Sequence, residues 1–72
     1  VNHTLMVYPN PCHSTLTLNT EAHDVVMLFN MQGAMLQRVV ATDITTTLNM
    51  QDLPAGLYIV RCGNQSVKVV KQ

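Results

Sequence analysis

Residues 53–62 read Leu53-Pro54-Ala55-Gly56-Leu57-Tyr58-Ile59-Val60-Arg61-Cys62, and the fold follows from them. Pro54 presets φ and Gly56 accepts φ > 0, so the two punctuate a tight corner. Beyond it, alternation sends Tyr58, Val60 and Cys62 to one face and Leu57, Ile59 and Arg61 to the other. A Leu-x-x-Gly-x-Tyr corner running into a strand predicts a tyrosine corner, in which a buried Tyr58 hydroxyl bonds back to the 50–54 connection. The segment therefore reads as a central strand entered through a stiff corner.

The alternation recurs on both sides of this strand. After Cys62 the chain turns at Gly63-Asn64, and in residues 66–71 Val67 and Val69 alternate with Lys68 and Val70. Before the corner, residues 44–50 hold Thr45, Thr46 and Thr47, β-branched residues that favour a pleated surface. Residues 35–41 return from a hairpin at Asn30-Met31-Gln32-Gly33, where Gly33 suits a left-handed position, and Arg38 is expected to be exposed. Residues 25–29 are apolar on both parities, with Val26 and Leu28 the expected inward pair. In residues 15–19, Leu16 and Leu18 point inward and the threonines outward. The first apolar run, 5–8, ends at Tyr8, because Pro9-Asn10-Pro11 cannot continue a ladder. Seven short strands with no 3.6 period predict an all-β, immunoglobulin-like antiparallel β-sandwich, one domain over residues 1–72.

Composition narrows the function. The chain of 72 residues is 47% apolar and only 11% charged, so Thr, Asn, Gln and Ser must cover its surface. Four basic and four acidic residues cancel, which leaves no basic patch for nucleic acid. No apolar run approaches the roughly 20 residues needed to cross a bilayer, so stable membrane insertion is not expected. His3, His13 and His23 stand about ten residues apart in different loops, a spacing unlike that of metal ligands, and no cofactor is expected. Cys12 and His13 are adjacent, but neighbouring side chains diverge in an extended chain and cannot form a nucleophile–base pair. So small a domain is also expected to lack the volume of a ligand pocket, and an enzyme is not expected. Position 1 is Val and no basic-then-apolar leader follows it, which suggests a piece of a longer protein or a processed product.

Several pieces in order carry a family likeness. They are Val7-Tyr8-Pro9-Asn10-Pro11, Leu16-Thr17-Leu18, Leu28-Phe29-Asn30-Met31-Gln32-Gly33, Leu48-Asn49-Met50, residues 53–61, and a final strand bearing lysine. Together they resemble the type A C-terminal sorting domain of the type IX (Por) secretion system along nearly the whole chain. The resemblance implies an upstream cargo domain in the same chain, which crosses the periplasm and then the outer membrane of a Gram-negative bacterium. It implies recognition by the type IX translocon, then removal by a sortase-like cysteine peptidase and attachment at the cell surface or release. The structural positions of the motif would be Tyr8, Pro9, Asn10, Pro11, Gly33, Leu53, Pro54, Gly56 and Tyr58. Cys12 and Cys62 depart from the family pattern, standing where small or apolar residues are usual, as does Phe29, where Tyr is common. The runner-up is an adhesion or accessory binding module of a surface protein, the other frequent use of such sandwiches.

Two readings of the cysteines remain open. A Cys12–Cys62 bridge would close a loop of about 50 residues, worth roughly 4 kcal/mol in the chain-entropy model, in an exported domain that needs the help. Otherwise Cys62 is a small buried hydrophobe and Cys12 a turn residue. The residues expected to carry recognition are Lys68, Val69, Val70 and Lys71. Both lysines are expected to face outward, on a strand whose free edge could accept a partner strand.

Overall fold

The corner forms as its residues dictate. In the structure, a computed structural model that describes residues 4–72, Tyr58 is buried and its hydroxyl donates to the Pro54 carbonyl oxygen. Gly56 takes φ 153°, and the strand that starts there, Gly56–Cys62, lies in the interior of a four-stranded sheet.

The strands in chain order are β1 (Val7–Tyr8), β2 (Thr15–Asn19), β3 (Val25–Asn30), β4 (Met35–Val40), β5 (Thr45–Asn49), β6 (Gly56–Cys62) and β7 (Gln65–Lys71). They build two antiparallel sheets, β1-β2-β5 and β4-β3-β6-β7. This is the immunoglobulin-like distribution, with the tyrosine corner where the chain crosses from one sheet to the other between β5 and β6. Leu16, Leu18 and Leu48 from one sheet and Val26, Leu28, Val60 and Val69 from the other form a single buried cluster, as alternation requires.

Side-chain amides do much of the work that ions do elsewhere. Asn30 Oδ1 accepts the Gln32 and Ala34 N–H groups, each at 3.0 Å, and Gly33 takes φ 90°, which together set the β3–β4 hairpin. Asn19 accepts the Met6 N–H at 2.5 Å and donates to the Thr4 carbonyl at 2.8 Å, tying the chain's start to β2. A bulge between Leu28 and Phe29 shifts the β3–β4 register, and Gln37 Nε2 reaches the Asn49 carbonyl at 2.7 Å to stitch the β4 edge to β5.

Register decides two further points, the place of Thr46 and which of the two cysteine readings holds. Thr46 is buried opposite Leu18 and its hydroxyl meets that of Thr20 at 3.0 Å, while Thr20 Oγ1 also contacts the Asp43 carbonyl at 2.8 Å. A threonine tolerates that position because its hydroxyl is satisfied there. The Cys12–Cys62 bridge does not form. Both thiols are free and buried, and they sit at opposite ends of β7, Cys12 bridging Lys71 and Cys62 paired with Gln65. Six residues of strand span about 20 Å, far beyond the reach of about 7 Å between Cα atoms that a disulfide allows.

Candidate recognition surface

The last strand is the element on which the recognition residues were expected, and the structure divides them. Lys68 and Val70 point outward and are exposed, whereas Val69 is wholly buried in the core. Lys71 corrects the expectation that both lysines face out. It shares parity with Val67 and Val69 and is half-buried, opposite Gly56.

The free edge of β7 is also less open than expected. Val70 N–H donates to Asn10 Oδ1 at 3.1 Å, and Asn10 Nδ2 donates to the Lys68 carbonyl at 3.2 Å. Cys12 N–H then donates to the Val70 carbonyl at 2.8 Å, and Gln72 N–H to the Cys12 carbonyl at 2.9 Å. The Tyr8–Pro9 and Asn10–Pro11 bonds are both cis, and Pro9 and Pro11 are exposed on either side of this clamp. Asn10 thus supplies through its side chain the donor and acceptor that a flanking strand would have offered, where prolines on both sides lack N–H groups. Among the described residues, no backbone bond closes that edge upstream of the Lys68 carbonyl. Sequence reasoning gave Pro9-Asn10-Pro11 as a turn and missed that it covers the end of β7.

The corner contributes a second feature. Leu53, Pro54, Gly56 and Tyr58 line an open cleft of about 310 Å³ together with Met31, Leu36 and Leu57. The domain does hold a hollow of that size, contrary to expectation. Its walls carry no His, Cys, Asp, Glu, Lys or Arg, and its one titratable group, Tyr58, is engaged with Pro54. Nothing in it can serve as a nucleophile–base pair.

Elsewhere the titratable groups are scattered. Among the described residues, no three of His, Cys, Asp and Glu gather as metal ligands would; His13 and His23 are exposed, and His3 lies outside the described residues. Burial pushes the Cys62 thiol above its ordinary 9.0, and the neighbouring Asp24 carboxylate pushes it further by its charge and a hydrogen bond. That thiol is held protonated, the opposite of a reactive cysteine. Among the described residues no helix is long and apolar enough to cross a membrane.

Residues 6–72 match the family model of the secretion system C-terminal sorting domain. The chain belongs to that family. No curated protein matches it. The sorting domain is a signal for type IX secretion, which sends a cargo carried in the same chain out to the cell surface or beyond it. The family is defined by sorting and not by catalysis. No observation favours the adhesion reading over the sorting one.

Proposed function

We propose that residues 1–72 act as one folding unit that carries its cargo through the periplasm to the type IX translocon. There the unit is read as a folded object and then removed by a sortase-like cysteine peptidase, which leaves the cargo attached at the surface. Recognition is centred on the last strand, through Lys68 and Val70, while Val69 and Lys71 hold that strand in place. The observation that supports this reading is the family match over residues 6–72 together with the outward exposure of Lys68 and Val70 on a strand that the core fixes through Val69.

The test is a passenger fused to residues 1–72 in a host with type IX machinery, compared with the same host lacking the translocon. Surface display is expected only in the first; equal display in both hosts overturns the reading. Deleting residues 66–72 is a poor probe, since it strips Val69 from the core. Lys68→Ala is the better one, because an exposed charge contributes little to folding. It should reduce display at an unchanged melting temperature.

A further inference from the structure

The outward face of the four-stranded sheet is unlike the rest of the surface. Strand register sets Met35, Phe29, Ile59 and Lys68 in one row across it, and Arg38, Met27, Arg61 and Ser66 in the next. Leu57 and Val70 lie beside the first row, directly opposite each other. Met35 is 52% exposed and Leu57 44%, high values for large apolar side chains in strands. Leu57 also belongs to the corner cleft, so face and cleft are continuous.

Charge is sorted as sharply as hydrophobicity. Arg38, Arg61 and Lys68 are three of the chain's four basic residues, and all three stand on this face, exposed. None of the four acidic residues does: Glu21, Asp24, Asp43 and Asp52 all lie in connections between strands. Among the described residues, no carboxylate pairs with these three cations. The nearest thing to a partner is a 3.5 Å contact from Arg61 Nε to the Gly63 carbonyl.

We propose, resting on the sorting reading above, that this face docks on an acidic protein surface of the translocon, with its apolar residues at the centre and its cations meeting carboxylates. Arg and Met are enriched where proteins meet, and complementary charge fixes partner and register. A second copy of the chain is disfavoured, because a two-fold contact through this face sets cations against cations. A membrane is disfavoured too. Three cations on a chain of zero net charge attract anionic lipid weakly, and Phe29 and Ile59 are half-buried in the sheet rather than projecting as a wedge.

The experiment uses the passenger fusion in the type IX host, with Arg38→Glu, Arg61→Glu and Lys68→Glu combined. The control places three glutamates on the other sheet's outward face, at Thr15, Thr45 and Thr47. Charge reversal is expected to lower display by about tenfold or more, and the control to leave it unchanged, with melting of the purified fusions as the check on folding. Should the reversed protein fail to fold, the neutral Gln triple is read instead, with a loss of about threefold expected. A photo-crosslinking residue at Ser66 should join the unreversed fusion to a translocon subunit and lose that product on reversal. Display of the parent together with undiminished display of the folded reversed fusion overturns the docking face while leaving the sorting function intact. Absence of display even for the parent overturns both. Cross-linking to the passenger, self-association abolished by reversal, or binding to phosphatidylglycerol vesicles abolished by reversal would each assign the face to a different occupant and refute the proposal.

Discussion

On the three-stranded sheet the outward face pairs Thr15 with Asn49, Thr17 with Thr47 and Asn19 with Thr45, neutral side chains throughout. On the four-stranded sheet the corresponding face carries Phe29, Ile59, Leu57 and Val70 among three cations. Both sheets meet the same core with the same alternation, so folding alone does not call for the difference. Threonine and asparagine are enough to make an exposed pleated surface that water accepts. An exposed patch of methionine, leucine and arginine goes beyond that need, and a contiguous patch of that kind marks contact with something else.

The largest effects should fall where the two sheets are alike. Leu16→Ala in one and Leu28→Ala in the other each remove a wholly buried side chain, and each should cost about 2–5 kcal/mol in urea unfolding. A near-zero loss for either would mean that the sheets do not share one core.

The corner leads the chain from β5 into the four-stranded sheet and, among the described residues, has no counterpart entering the other one. Tyr58→Phe strands the Pro54 carbonyl without its donor and should cost about 1–3 kcal/mol. Equal melting temperatures for this variant and the parent would remove the corner from the account of stability.

A smaller effect comes from Cys62. Its folded thiol titrates above the ordinary 9.0, so below that pH both states are protonated and its contribution to stability is fully present. As pH rises past 9 the unfolded chain loses the proton first, and stability falls. The parent should therefore lose stability between pH 9 and higher values more steeply than Cys62→Ala, measured by urea unfolding across that range; parallel curves would refute the shift. Native protein at pH 8 should leave Cys62 unalkylated until it is unfolded.

The smallest stability effects separate the two outward faces. Thr47→Ser and Arg61→Gln should each stay within about 0.5 kcal/mol of the parent. Only Arg61→Gln should weaken display of a passenger. A Thr47→Ser variant with equally weakened display would erase the functional distinction between the faces.

Much of this was legible in local chemistry. The corner is written in Pro54, Gly56 and Tyr58, the inward pairs Leu16/Leu18 and Val26/Leu28 follow from a period of two, and Gly33 and Gly63 each mark a hairpin position with positive φ. Lys71 was legible as well, since counting on from Val69 puts it on the inner parity. Thr46 was not, because its inward position rests on register with Leu18 and on Thr20 being near enough to satisfy its hydroxyl. Nor was Asn10, whose partners Lys68 and Val70 lie about sixty residues along the chain.

By itself, then, the sequence determined the strands, the inner face of most of them, the corner and the family. Each of these rests on neighbours a few residues apart, or on an ordered set of short motifs. Tertiary structure decided what depends on which strands lie side by side. It set the cysteines at opposite ends of β7 and closed the end of that strand with Asn10 and Cys12. It also brought Arg38, Arg61 and Lys68 from three separate strands onto one face. Alternation tells each strand which side is out, but only the pairing of β4, β3, β6 and β7 makes those sides a single surface.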